Sequence, residues 1–146
     1  MDDRIAVVGA GQMGNGIAHV FAQSGFPVTM IDVSRDALER GQSTIRKNLE
    51  RQQKKGSISA DDSAKTLERI QLSENVDSVK DASLIVEAAT ENNDLKNKIF
   101  ADLDRIADPQ AILASNTSSI SITDLARHTR RPANVVGMHF MNPVPV

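Results

Sequence analysis

A glycine-rich turn near the start of the chain restricts its possible folds more than any other stretch. Arg4-Ile-Ala-Val-Val8 is a short apolar, β-branched run of the kind that forms a buried parallel strand. It leads into Gly9-Ala-Gly11-Gln-Met-Gly14 and then into Gly16-Ile-Ala-His-Val-Phe-Ala-Gln23, which has helical periodicity. A G-x-G-x-x-G pattern alone is weak evidence, but between a strand and a helix each glycine has a task. Gly9 permits the tight turn, Gly11 lets a pyrophosphate approach the backbone with no Cβ in the way, and Gly14 lets helix and strand pack closely. The N–H groups of Gln12 and Met13 open a helix whose positive end faces the phosphates. Gly25 and Pro27 punctuate a second strand, Val28-Thr-Met-Ile31, with Asp32 at its carboxyl end, 23 positions beyond Gly9. An acid there accepts hydrogen bonds from ribose hydroxyls and repels a 2′-phosphate, so the expected cofactor is NAD rather than NADP.

Strand and helix signals alternate through the rest of the chain. The crossover after Asp32 is long, since a plain βαβ connection needs only about a dozen residues. The next apolar strand candidates are Arg69-Ile-Gln-Leu72 and Leu84-Ile-Val-Glu87. Ser34 is placed to cap a long charged helix that runs to Lys55 and ends at Gly56. Ser59 is placed to cap a second helix, with Asp61 and Asp62 in its first turn and its end near Glu68. The long helix has only a thin apolar stripe, Leu38, Ile45 and Leu49, so most of it is expected to stay wet or meet a partner. Beyond Glu87 the pattern predicts a helix from Asp94 to about Ile106, with its apolar face at Leu95, Ile99, Phe100 and Leu103. A strand over Ala111-Ile-Leu-Ala114, a short helix from Ile122 to Arg127 and a strand over Val135-Val-Gly-Met-His139 complete the series. Six strands interleaved with helices describe an α/β fold, a Rossmann-type doubly wound parallel sheet with a long helical hairpin inserted after the second strand.

Composition excludes some functions. A chain of 146 residues suffices for one domain with a real core. Cysteine is absent, so no disulfide or thiolate site is possible and a reducing compartment is expected. The start Met-Asp-Asp-Arg lacks a signal-peptide pattern and no stretch approaches membrane-spanning length, so a cytoplasmic protein with no membrane partner is expected. A net charge of −2, with no Trp or Tyr, argues against nucleic acid. Charge is uneven, however. Between Ser34 and Lys55, Arg35, Arg40, Arg46, Lys47, Arg51, Lys54 and Lys55 face only Asp36, Glu39 and Glu50.

Ligands of doubly wound sheets sit beyond the carboxyl ends of the strands. Asp32, Glu87 to Glu91, Ser115-Asn-Thr-Ser-Ser119 and His139 to Asn142 are all expected at that edge. His139 there could take the proton of a substrate hydroxyl, or be a core histidine satisfied by backbone. The serine run could hold a substrate oxygen or a ribose, or supply ordinary caps. His19 and His128 read as structural. No two histidines have metal-ligand spacing, so no metal is expected, and no Gly-x-Ser-x-Gly elbow supports a hydrolase.

Gly-Ala-Gly-Gln-Met-Gly-Asn-Gly-Ile-Ala, Val-Glu-Ala-Ala-Thr-Glu, Ala-Ser-Asn-Thr-Ser-Ser and Gly-Met-His-Phe-Met-Asn-Pro-Val-Pro, in this order, closely resemble the NAD-binding domain of 3-hydroxyacyl-CoA dehydrogenases. Within that family the chain looks most like the short bacterial members that act on 3-hydroxybutyryl-CoA. The resemblance implies that His139 is the catalytic base in oxidation, and that Ser118 hydrogen-bonds the reacting oxygen and lies against the cofactor. It implies that Glu91, Lys96, Asn116 and Asn142 contact the nicotinamide half of NAD, with Asp32 on the adenosine ribose. The helical pair after the second strand would help hold coenzyme A, where Lys55 matches a basic position and Asn48 stands where some members have serine. The implied partner is therefore an acyl-CoA substrate. Members of the family continue into a helical domain that forms a homodimer. Their glutamate that pairs with the catalytic histidine lies about a dozen residues beyond it, a role comparable to the aspartate of a catalytic triad. Residues 1–146 are thus expected to be the NAD-binding domain, turning over poorly without the rest. Alternatives are a dehydrogenase of a free hydroxy acid or sugar acid, a non-catalytic NAD-binding module, and one domain of a larger β-oxidation chain.

Overall fold

The computed structural model describes residues 3–90, 92–116 and 121–138. Strands and helices follow in the order β1 (Ile5–Val8), α1 (Gln12–Gln23), β2 (Val28–Ile31), α2 (Arg35–Lys54), α3 (Ala60–Glu68), β3 (Ile70–Ser73), β4 (Leu84–Glu87), α4 (Asn93–Ile106), β5 (Ile112–Ser115), α5 (Ile122–Arg127) and β6 (Val135–Gly137). Every neighbouring pair of strands is parallel, in the order β3-β2-β1-β4-β5-β6. This is the doubly wound arrangement expected from the sequence. The chain winds outward from β1 to β3 and then returns to place β4 on the other side of β1, which opens a crevice at the carboxyl ends of β1 and β4.

Alternation along each strand divides the core in two. Ile5, Val7, Val28, Met30 and Ile70 pack with Ile17, Leu38, Ile45 and Leu49 on the face covered by α1 and α2. Ala6, Ile85, Leu113 and Val135 pack with Phe100, Leu103 and Leu125 on the face covered by α4 and α5. Local signals set the helix ends. Ser34 Oγ accepts the Ala37 N–H and Ser59 Oγ accepts the Asp62 N–H, while Gly56 leaves α2 at φ +79°. The thin stripe of Leu38, Ile45 and Leu49 is fully buried, as is Gly41 between them. A Cβ on Gly41 would lie 2.8 Å from the Ala10 carbonyl oxygen, so α2 rests directly on the glycine turn.

Helix α4 is rotated from its expected setting. Leu95, assigned to the apolar face, is 48% exposed, and Lys96 beside it is wholly buried. Lys96, Phe100, Leu103 and Ala107 form the inner row instead. Periodicity misplaced the row because a lysine reads as a surface residue, whereas here it meets a carboxylate inside the fold. Strand β5 also runs one residue further than expected, to Ser115.

The carboxyl end of α4 is held by a segment far away in sequence. Arg131 donates to the carbonyl oxygens of Asp104, Ala107, Asp108 and Ala111, and its Nε lies 2.7 Å from Asp104 Oδ1. Burial alone would raise the Asp104 pKa. The backbone N–H of Arg130 and the two guanidinium groups instead hold it below the usual carboxylate value. A cation on the last carbonyls of a helix also opposes its dipole. Arg131→Ala would leave Oδ1 of the buried Asp104 and the last carbonyls of α4 without their donor, Arg130 holding Oδ2 alone, and should cost roughly 3 kcal/mol in urea unfolding.

His19 lies buried in α1, its Nε2 2.9 Å from Gln23 Oε1. Burial lowers its pKa, against the opposing influence of the Gln23 bond and the Gln52 side chain. In the unfolded chain the imidazole takes up a proton below about pH 6.5, which the folded chain resists, so stability is lost as pH falls through that value. His19→Gln should flatten this part of the stability curve, measured by urea unfolding on either side of it.

Candidate NAD-binding site

The crevice is built from four strand ends. Hydrogen bonds of the ladder continue past each strand: Gly9 N–H to Ile31 O, Ala88 N–H to Val8 O, Asn116 N–H to Glu87 O and Met138 N–H to Ser115 O, at 2.7 to 3.0 Å. They bring the glycine turn, the loop after β4 and the residues after β5 to one edge. Gly11, Gln12 and Met13 face Ala88, Ala89, Thr90 and Asn116 across a cleft of about 260 Å³.

The glycine turn is closed by contacts that no side chain could enter. A Cβ on Gly14 would stand 1.8 Å from the Gly9 carbonyl oxygen, and one on Gly9, whose φ is +112°, would stand 2.8 Å from Ala88 O. Gly11 has nothing within 4 Å of its Cβ position, so its missing side chain serves open space on the cleft side. Asp32 braces the turn as well: Oδ2 accepts the Ala10 N–H at 3.0 Å and Oδ1 accepts the Ser34 N–H at 2.9 Å. Each oxygen keeps a second lone pair, so the carboxylate can still accept from a ribose.

Helix α1 differs from the others at its first turn. Helices α2, α3, α4 and α5 each have a side-chain cap, from Ser34, Ser59, Asn92 and Ser121, and an acid in the first turn. Helix α1 has neither, and its N-cap is Gly11. Its first N–H groups and positive dipole end thus face the cleft uncompensated, the electrostatics a pyrophosphate requires. The residues present fit a dinucleotide: a cradle free of Cβ atoms, an uncapped helix start and an acid at the end of β2.

Beneath the cleft Glu87, Lys96 and Ser115, each placed near the site from the sequence, join in a buried charged group whose pairing sequence reasoning did not foresee. Glu87, Lys96 and Ser115 are all fully buried. Glu87 Oε1 is 2.6 Å from Lys96 Nζ and accepts the Ser115 hydroxyl at 3.1 Å, while Lys96 donates to Ser115 Oγ at 3.2 Å. Glu87 and Ser115 are direct neighbours on β4 and β5. The resemblance pointed to Lys96, but the one hint of its burial was a spacing of three and four residues from the apolar Ile99 and Phe100 on the same helix.

Gly9, Gly11, Gln12, Met13, Gly14, Asp32 and Asn116 stand together at the carboxyl edge, and Lys96 is buried behind them. Asn48 on α2 and Lys55 at its C-cap lie away from the cleft, with Lys55 exposed and Asn48 Oδ1 3.5 Å from an Arg51 nitrogen. Glu91, Ser118, His139 and Asn142 lie outside the described residues. Among the described residues no group of three or more His, Asp or Glu could hold a metal ion, and no helix is long and apolar enough to cross a membrane.

Fold and cleft together define a dinucleotide-binding domain of the kind found in NAD-dependent oxidoreductases. Residues 4–146 match the family described as 3-hydroxyacyl-CoA dehydrogenase, NAD binding domain, and the chain belongs to that family. The 3-hydroxybutyryl-CoA dehydrogenase of Bradyrhizobium diazoefficiens is 50% identical over 143 residues, which cover 98% of this chain and 49% of that protein. The crystal structure of (S)-3-hydroxybutyryl-CoA dehydrogenase from Ralstonia eutropha superposes with a TM-score of 0.96 at 46% identity, over 100% of this chain and 52% of that one. An NAD-dependent 5-formyl-3-hydroxy-2-methylpyridine 4-carboxylic acid 5-dehydrogenase is 31% identical with a TM-score of 0.85, over 99% of this chain and 46% of that one. The chain spans about half the length of these relatives.

Two glycine variants separate ligand clearance from folding. Gly11→Ala meets no atom and has an ordinary φ of −68°, so its stability should stay within about 1 kcal/mol of wild type. Its NADH affinity should nonetheless fall, because the methyl group stands where phosphate approaches. Gly14→Ala should lose both stability and NADH binding, as read by thermal melting and NADH fluorescence.

Proposed function

We propose that this chain is the cofactor domain of an enzyme that oxidises a (3S)-3-hydroxyacyl-CoA of short acyl chain, such as 3-hydroxybutyryl-CoA, to the 3-oxoacyl-CoA. The observation that carries the reading is an NAD cleft of this family whose open edge meets the chain leaving β6. Met138, the last described residue, donates its N–H to the Ser115 carbonyl at 3.0 Å, beside Asn116. His139 follows it directly.

In this reading His139 takes the proton from the C3 hydroxyl as the C3 hydrogen leaves with its electron pair, and Ser118 donates a hydrogen bond to the same oxygen. NAD supplies the hydride acceptor. Glu91, Asn116 and Asn142 orient the nicotinamide half, with Lys96 acting from behind them through Glu87 and Ser115, and Asp32 accepts from the adenosine ribose. Gln12 and Met13 N–H groups, with Gly9, Gly11 and Gly14, hold the pyrophosphate. In the reverse direction His139 returns the proton to the oxo group.

The basic helix α2 supports the coenzyme A part. Gly41 seats it on the glycine turn, which brings Arg40 beside Gly11 and Gln12, with the other basic residues further along the helix. At 1.5 Å per residue, Asn48 and Lys55 lie about 10 and 21 Å along the axis from Gly41, a reach suited to an extended phosphate-bearing ligand rather than a small acid. We place the protein in the cytoplasm and assign homodimer formation to a helical domain beyond this one. That domain would supply the acid that pairs with His139.

Following NADH formation by the full-length protein with 3-hydroxybutyryl-CoA and with free 3-hydroxybutyrate tests this proposal. The CoA ester should be the better substrate, and His139→Gln should lower kcat at least about a hundredfold with NADH affinity retained. Preference for the free acid would favour a hydroxy-acid dehydrogenase, and NADH binding without turnover of either would favour a binding module. Unchanged turnover in the variant would remove His139 from the chemistry.

A further inference from the structure

The buried carboxylate of Glu87 does more than neutralise Lys96. Its Oε1 takes Lys96 and Ser115, but its Oε2 is turned the other way, accepting the backbone N–H of Ala89 at 2.8 Å and of Thr90 at 3.3 Å. Ala88, Ala89 and Thr90 are the wall of the cleft that faces Gly11, Gln12 and Met13. That wall also touches the turn: Ala88 O is the atom a Cβ on Gly9 would meet at 2.8 Å. A small displacement of the loop therefore changes the width of the cleft.

We infer that Glu87 is a positioning residue for the cofactor, which holds the loop after β4 in its NAD-binding shape. Lys96 and Ser115 serve as the charge partner and the link to β5. The chemistry explains each member. Two loop N–H groups at the end of a parallel strand have no ladder partner, and an ionised carboxylate is the strongest acceptor a side chain offers. An isolated buried carboxylate is costly, so a cation must accompany it, and Lys96 is drawn into the fold for that purpose. Ser115 fills the remaining acceptor direction of Oε1 and ties the group to the strand that carries Asn116. Through these bonds one residue sets two sides of the cleft, the loop after β4 and the end of β5.

The inference rests on the NAD-binding reading of the cleft and is independent of the acyl-CoA substrate. Measuring NADH binding to the wild-type chain first separates a failure of the cofactor reading from a failure of this one. The chain has no Trp or Tyr, so NADH fluorescence is read against little protein background. The decisive comparison is E87Q/K96M against E87L/K96M. Both remove the charge pair, and the shared Lys96 change cancels whatever that lysine gives the cofactor. The glutamine side chain of the first variant keeps one oxygen for the loop N–H groups, whereas the leucine side chain of the second keeps none. At matched melting temperature the leucine variant should bind NADH about tenfold more weakly than the glutamine variant, the loss expected when a loop loses its acceptor. Equal affinities would overturn the inference. Should the leucine variant not fold, amide exchange in the dinucleotide-free wild type decides the matter. The Ala89 and Thr90 N–H groups should exchange more slowly than in an open loop, and exchange at open-loop rates would overturn it.

Discussion

The approach of Gly14 to the carbonyl of Gly9 is the contact on which the rest of the structure depends. With room for no Cβ between them, helix α1 starts directly on the end of β1. Its axis then crosses the sheet, and its first N–H groups look into the crevice rather than into protein. Asp32 and Asn15 complete this closure, the former through the Ala10 N–H and the latter through the Gly11 carbonyl at 2.7 Å. Helix α2 then settles on the same turn through Gly41. A turn of six residues thus fixes how three elements meet, and glycine is required because close approach and positive φ at Gly9 leave no alternative.

The second half of the sheet is organised by charge rather than by glycine. In the crevice Glu87 joins β4, β5 and α4 in one buried unit, and at the opposite end of α4 Arg131 binds four carbonyls and Asp104. Helix α4 is therefore held at both ends by ionic groups inside the fold. Such pairs contribute little net stability compared with apolar packing, but they specify geometry, since each fails if its partner moves. The rotation of α4 that buries Lys96 and exposes Leu95 follows from this. Apolar periodicity alone would have turned the helix by one residue.

Much of the architecture was legible in the residues. Among the described residues the six strands and five α-helices fall within a residue or two of where β-branched runs, serine caps and glycine stops place them, because those signals act within a few residues. The glycine turn and Asp32 were equally legible, their spacing being a direct consequence of a strand, a turn and a helix in succession. What could not be read were the long-range ionic partners. Glu87 ends a strand like any other polar residue, and Arg131 sits in an Arg-Arg-Pro loop with no local hint that it caps a helix over twenty residues earlier. Ser115 belonged to a serine run with two readings, and in the fold its hydroxyl is committed to Glu87 and Lys96.

The sequence by itself determined the order of the elements, the dinucleotide cradle and the family motifs, since each depends on residues close together along the chain. Only the tertiary structure decided which way α4 faces, what shapes the wall opposite the cradle, and how the basic helix α2 is seated on the glycine turn. Those features arise where segments distant in sequence meet, and there the desolvation of a charge or the absence of a Cβ selects among packings that local propensity leaves equal.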